Sequence, residues 1–335
     1  GRKFREKSKM MVLYPWQQSL YQQIVHPFQQ GRGHHALLFK TEAGLGSEVL
    51  IRHFAHWLLC QNKNSNEPCH QCKSCLLVQS GNHPDFHLLE PIENRDIGVD
   101  QVRDVLATLQ RFAQQEGNVV VYIRQAERLT EASCNALLKT LEEPHEGVYF
   151  LLETDLQAPM MATIQSRCQT WVLHAPETPI ALQWLQIHCP QFSEADIETA
   201  LRLCHGRPLI CKTFLENDRL SARKAFLQTF WRFYKNRDPF LLLSQFEKEQ
   251  VQMQLEWLQS FFSDALKAKM GMTTGWVNHD LDKGIWLFSD ALSAQQLLKG
   301  YDILCEAEKN INEINAVNIE LMLANGLTRL VLEVF

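Results

Sequence analysis

Hydrophobic residues along this chain fall first into short runs and then into helical stripes. The runs at 36–40, 86–90, 119–123, 149–152 and 170–173 are rich in Val, Leu, Ile, Phe and Tyr and predict five strands. Between them, apolar positions recur at spacings of three and four. Val49, Leu50, Phe54, Trp57 and Leu58 mark one helix; Val102, Val105, Leu106, Leu109 and Phe112 mark a second over 99–114. Ala136, Leu137, Leu138 and Leu141 mark a third, which Thr130 caps and Glu142-Glu143-Pro144 stops. A short helix is predicted over 159–165. Such alternation belongs to a mostly parallel sheet covered on both faces. Past Ala175-Pro176 the strand signals cease and only helical spacing continues, so the predicted fold class is α/β followed by all-α. A small helical unit is expected over 176–216, with Gly206-Arg207-Pro208 between helical stretches, and a larger one over 217–335. Trp231, Phe233, Tyr234, Trp257, Phe261, Phe262 and Trp276 stand at helical spacings, which predicts core rather than base stacking.

At 335 residues and 45% hydrophobic composition the chain exceeds one ordinary domain. A net charge of -5 excludes a dominant basic surface, so any DNA contact is local or shared with partner subunits. No uninterrupted apolar run approaches the roughly 20 residues that cross a bilayer, and no N-terminal segment reads as a signal peptide, so a cytoplasmic location is expected. Residues 1–10 are charged and aperiodic. They read as a leader or tag, with Met10 or Met11 as the natural start.

Six of the ten cysteines, Cys134, Cys168, Cys189, Cys204, Cys211 and Cys305, are dispersed through apolar stretches and read as ordinary reduced thiols. The other four are Cys60, Cys69, Cys72 and Cys75, spaced C-x8-C-x2-C-x2-C. That spacing lets short turns fold thiolates around a tetrahedral zinc ion, and four thiolates leave no coordination position for water. The expectation is a structural zinc module over 60–75, with His70, His83 or His87 able to substitute for one thiolate; the alternative is four unrelated free thiols.

A phosphate-binding loop would follow the first strand. Its pattern, G-x-x-x-x-G-K-[ST], uses backbone amides to cradle phosphates, lysine to neutralise them and a hydroxyl to hold magnesium. Here Thr41 stands at the first glycine, Gly44 and Gly46 remain, Ser47 replaces the lysine and Glu48 takes the magnesium-ligand position. Glu48 would repel a triphosphate at close range. The third strand ends in Ile123-Arg124-Gln125, where an ATPase places acidic residues. Taken alone, these glycines suit equally a tight strand-to-helix turn in a fold unrelated to ATPases.

Further motifs decide between these. Asn135-Ala136-Leu137-Leu138-Lys139-Thr140-Leu141-Glu142-Glu143-Pro144 and Thr163-Ile164-Gln165-Ser166-Arg167-Cys168 resemble the clamp-loader branch of the AAA+ family. Tyr14-Pro15-Trp16, Gly31-Arg32-Gly33-His34-His35-Ala36 and the four-cysteine module are similar to its bacterial members. The resemblance spans approximately Tyr14 to Arg207; the remaining helices match loosely. It implies an AAA+ RecA-like five-stranded parallel sheet over 11–175 with the zinc module inserted, a lid domain over 176–216 and an oligomerising collar over 217–335.

Within the bacterial clamp-loader subunits that the chain resembles, a zinc module joined to a degenerate phosphate loop implies a non-hydrolysing subunit of the DNA polymerase III clamp loader rather than the ATP-hydrolysing tau/gamma subunit, without ATPase or polymerase activity of its own. The implied partners are the tau/gamma and delta subunits and, through the complex, the beta sliding clamp and primer-template DNA. Arg167 is implied to be an arginine finger acting in trans on a neighbour's nucleotide, the alternative for a lone arginine being a surface ion pair, with Ser166 and Cys168 as positioning residues; Leu209 stands where that family places an arginine that senses nucleotide. The rival classes are an active AAA+ ATPase, which requires nucleotide binding by the isolated chain, and a zinc-dependent DNA-binding protein or scaffold. For the DNA-binding reading, Lys63 and Lys73 supply few basic groups near the module.

Overall fold

The structure is a computed structural model that describes residues 12–111, 117–311 and 316–335. The expected leader and Phe112 lie outside the described residues. The chain divides into two compact units, the first ending at Ala181 and the second comprising Leu182–Phe335.

The first unit contains the five expected strands: β1 (Ala36–Thr41), β2 (Phe86–Leu89), β3 (Val119–Ile123), β4 (Val148–Asp155) and β5 (Gln169–Val172). They form one parallel sheet in the order β2-β3-β4-β1-β5. Strand alternation sends successive residues to opposite faces. Leu38, Val121, Ile123, Phe150 and Leu152 face α4 (Val99–Leu109), α5 (Glu131–Glu142) and α6 (Ala162–Gln165), whereas Leu37, Phe39, Val120, Tyr122 and Leu151 face α1 (Gln18–Gln29) and α2 (Ser47–Leu59). Right-handed crossovers account for this split, because the chain moves one way from β1 to β2 and the other way from β2 through β3 to β4.

Several elements differ from the sequence pattern: helix α4 stops at Leu109 within the expected 99–114, and β5 runs one residue earlier than 170–173. β4 runs to Asp155, past the apolar run, because Glu153 and Thr154 are buried at its carboxyl end. The helix in the 159–165 region begins only at Ala162. Helix α1 carries no clear stripe in the sequence, being glutamine-rich with Pro27 near its end, yet Tyr21, Ile24 and Val25 bury one face.

The second unit is helical: α7 (Thr178–His188, which crosses the boundary), α8 (Glu194–Leu203), α9 (Pro208–Glu216), α10 (Arg219–Asn236), α11 (Pro239–Leu243), α12 (Val251–Lys269), α13 (Asp282–Ala291), α14 (Ala294–Ile311) and α15 (Ala316–Arg329). Its aromatic residues are mainly core. The rings of Phe230, Phe262 and Phe288 stand 5.0–5.8 Å apart, and Phe233, Trp257, Phe261 and Trp276 are also buried. Gly300 brings the α14 backbone against Phe262, where an added Cβ would lie 2.3 Å from a ring carbon. Buried Asp264 accepts the backbone N–H groups of Val277 and Asn278, pinning the segment after α12. No described helix is long and apolar enough to cross a membrane.

Candidate functional site

The helices that follow β1 and β4 leave toward opposite faces of the sheet. The crevice outside the carboxyl ends of these adjacent strands is therefore the topological switch point, where open α/β sheets bind ligands. The degenerate phosphate loop lies here. Gly46 adopts the left-handed region with φ +74°, and a Cβ there would stand 2.5 Å from the Tyr14 ring. Trp16 Nε1 donates to the Leu45 carbonyl at 2.8 Å; Gln17 Nε2 donates to the Leu45 and Gly46 carbonyls at 3.0 and 2.7 Å. Tyr14 and Trp16 stack at 4.8 Å. The segment before α1 thus clamps the loop.

Ser47 and Glu48, at the lysine and magnesium-ligand positions, are engaged within the chain. Ser47 Oγ donates to Glu153 Oε2 at 2.5 Å, and Tyr122 Oη donates to Glu153 Oε1 at 3.0 Å. Glu48 pairs with Arg52 at 2.8 Å and with Arg124 at 3.2 Å. Arg124 also meets Glu90 at 3.4 Å and Glu153 at 3.8 Å. Burial works against the charge of Arg124, but Glu48, Tyr122, Glu153 and Glu90 outweigh it and raise its pKa. Burial and then Glu153 push the Tyr122 hydroxyl up, keeping it a protonated donor. A triphosphate entering here meets three carboxylates set against Arg124 and Arg52. A like-charge contact at 4 Å is worth about 4 kcal/mol at an effective dielectric of roughly 20.

Glu90, Glu153 and Tyr122 were not singled out by sequence pattern. A glutamate closing an otherwise apolar strand at the carboxyl edge was the available signal, since ligands bind outside those ends. Gln125, which follows Arg124, is exposed and takes a left-handed conformation before a single 3-10 turn.

The four cysteines come together at the end of α2 and the start of α3 (Lys73–Ser80). Their sulfurs all lie within 4.8 Å of one another, and Cys69 Sγ and Cys75 Sγ are 3.8 Å apart. Two sulfurs at about 2.3 Å from a tetrahedral zinc are separated by about 3.8 Å, so the donor set fits such an ion. Backbone amides point at the sulfurs: Cys69 N at Cys60, Gln71 N and Cys72 N at Cys69, and Cys75 N at Cys72, at 3.2–3.4 Å. These bonds favour thiolate. For Cys72, burial opposes ionisation, yet the amides of Gln61 and Cys75 and the neighbouring thiols bring its pKa down to about 6. Burial and hydrogen bonds to its neighbours push Cys75 up instead. Four clustered thiols do not all ionise without a cation.

Among the described residues no histidine joins this cluster. His83 uses both ring nitrogens elsewhere, on Ser74 Oγ at 3.1 Å and the Asp85 amide at 3.0 Å. The intervening loop is anchored to the sheet unit by Tyr21 Oη on the Asn66 carbonyl and Trp57 Nε1 on the Ser65 carbonyl, at 2.5 and 3.2 Å.

Arg167 follows α6 and is about a quarter exposed. Its Nε donates to Glu142 Oε1 at 2.8 Å, a terminal nitrogen bonds the same oxygen, and Nη1 donates to the Thr163 carbonyl at 2.6 Å. Burial raises the Cys168 thiol to about 11, so at neutral pH it is not a nucleophile.

Similarity to known proteins covers both units. The family described as "DNA polymerase III, delta subunit" matches residues 16–177, and that described as "DNA polymerase III, delta subunit, C terminal" matches residues 217–331. DNA polymerase III subunit delta' of Haemophilus influenzae is 47% identical over 97% of this chain and 99% of its own length. The Escherichia coli protein of the same name is 33% identical over 96% of each chain. DNA polymerase III subunit tau/gamma of Haemophilus influenzae is 35% identical over 54% of this chain and 26% of its own length.

Proposed function

Because the chain belongs to the DNA polymerase III subunit delta' family, we propose that it is a non-hydrolysing stator of the clamp loader, a fixed piece against which ATP-driven subunits work. The observation that carries this reading is the Arg124 network, in which the residues replacing the phosphate ligands are committed to Glu153, Arg52 and Arg124. A sheet unit built this way retains the shape of a nucleotide-binding domain and positions neighbours without turnover of its own.

In this reading residues 11–175 form the AAA+ unit, 176–216 a lid and 217–335 a collar that joins tau/gamma and delta in the cytoplasm. The beta clamp and primed DNA are met through the complex. Cys60, Cys69, Cys72 and Cys75 hold zinc, which would cross-link the inserted loop to α2 and α3 with a closed coordination shell. Arg167 reaches the nucleotide of an adjacent tau/gamma subunit. Its fixed charge and planar fork of donors suit the charge that develops in phosphoryl transfer. The ion pair with Glu142 does not oppose this, since exposed pairs are worth only about 0–1 kcal/mol.

The test is ATP hydrolysis by tau/gamma and delta with clamp and primed DNA, with this chain added or omitted. The chain alone is expected to be inert, and its addition to stimulate DNA-dependent hydrolysis that Arg167→Ala removes while assembly persists. Turnover by the isolated chain, or full stimulation by Arg167→Ala, would sink the reading.

A further inference from the structure

We infer that Glu142 is a positioning residue that parks Arg167 against its own subunit and yields it only to a better anion, the phosphoryl oxygens of a nucleotide held by a neighbour. This rests on the reading of Arg167 as an arginine acting in trans. Glu142 is the last residue of α5 and Arg167 follows α6, so β4 separates them in sequence and the sheet brings them together. Two guanidinium nitrogens converge on a single oxygen of Glu142, while Nη1 turns back to the Thr163 carbonyl and, at 3.4 Å, to Ser166 Oγ. The guanidinium is thereby folded onto its own helix end.

Convergence on one oxygen forgoes the parallel two-oxygen fork that makes arginine–phosphate recognition strong. The park is therefore weaker than the engagement it competes with. Both backbones are fixed: Leu137 and Leu141 anchor α5 in the core, Ile164 anchors α6, and His35 Nε2 bonds the Leu141 carbonyl at 2.5 Å. Release then needs only a side-chain rotation. Arg167 is 27% and the Glu142 side chain 48% exposed, which leaves the pair open to solvent and to an approaching subunit. An exposed pair of this kind shifts an equilibrium by no more than about fivefold, so the latch sets a threshold rather than a block.

The experiment uses the assembled loader containing this chain with Glu142→Ala, Glu142→Asp, Arg167→Ala or the Glu142→Ala/Arg167→Ala pair. ATP hydrolysis is measured with and without primed DNA and clamp. Glu142→Ala is expected to raise DNA-independent hydrolysis about two- to fivefold, Glu142→Asp to return it toward the parent rate, and the double variant to match Arg167→Ala. In the isolated chain, the Arg167 Nε–H resonance is expected to move in Glu142→Ala and to hold in Glu142→Asp. If Arg167→Ala lowers DNA-stimulated hydrolysis but Glu142→Ala leaves the DNA-independent rate unchanged or lower, the latch is wrong and the trans-acting arginine stands. A rise that persists in the double variant overturns the latch as well, because Glu142 then acts elsewhere. Normal stimulation by Arg167→Ala removes both.

Discussion

A guanidinium nitrogen of Arg124 lies 3.2 Å from Glu48 Oε2, joining the end of β3 to the position where a phosphate loop would place its magnesium ligand. The same guanidinium faces Glu90 and Glu153, so one cation balances carboxylates from three segments. At the carboxyl edge of the sheet the chain's own charges are thus paired with one another.

Arg124→Ala leaves these carboxylates poorly compensated and is expected to destabilise the first unit by about 1–3 kcal/mol. Because Arg124 and Glu48 are in contact, the double variant with Glu48→Ala is expected to lose less than the sum of the single losses. Urea denaturation of the four proteins in the cycle measures this coupling, and strict additivity would argue that the two residues act independently.

Metal removal addresses the cysteine cluster. About one zinc ion per chain is expected by elemental analysis of the purified protein, with Cys60→Ser or Cys75→Ser losing it. Chelation of the parent protein is expected to lower its melting temperature and to leave the melting of these variants nearly unaltered. Equal sensitivity of parent and variants to the chelator would dissociate the cluster from metal.

Packing in the helical unit predicts a different loss. Gly300→Ala places a methyl group into the Phe262 ring, which is fully buried among Phe230 and Phe288 and has no room to yield. A cost of about 1–3 kcal/mol is expected by denaturant unfolding. A neutral result would show that α14 shifts freely.

His56 carries a pH dependence. It is buried, its Nε2 meets no hydrogen-bond partner among the described residues, and burial, with His70, His53 and His83 nearby, lowers its pKa from 6.5 to about 4. The unfolded chain therefore binds the proton more tightly. Stability from this group is complete above about pH 6.5 and is lost as pH falls toward 4. His56→Gln is expected to show a smaller drop in melting temperature between pH 7 and 5 than the parent protein, with the cysteines unchanged in both; equal drops would rule out His56 as the source.

Much of the fold was legible because its signals are local. Apolar runs of four or five residues mark strands buried on both faces, and helical spacing marks the faces of α2, α4 and α5. Thr130 caps α5 as its position before Glu131 implies, its Oγ1 accepting the Ser133 amide at 3.1 Å. The cysteine spacing named its own cluster, because two C-x2-C turns leave thiols few other arrangements, and the glycines of the loop marked where a phosphate site would be.

Other relationships were decided only by the tertiary structure. Arg124 and Glu48 are 76 residues apart, and Arg167 and Glu142 are 25 apart. No periodicity announces either pair, since a charged residue in sequence carries no record of its partner. Nor does a glutamine-rich segment disclose that Tyr14 will cover Gly46. Parallel pairing of β1 with β4 aligns the carboxyl ends of distant strands and makes neighbours of side chains that sequence alone presents as isolated substitutions. The amino-acid sequence determined which phosphate ligands were missing. The sheet order determined what stands in their place, because only long-range backbone pairing brings those charges within contact distance.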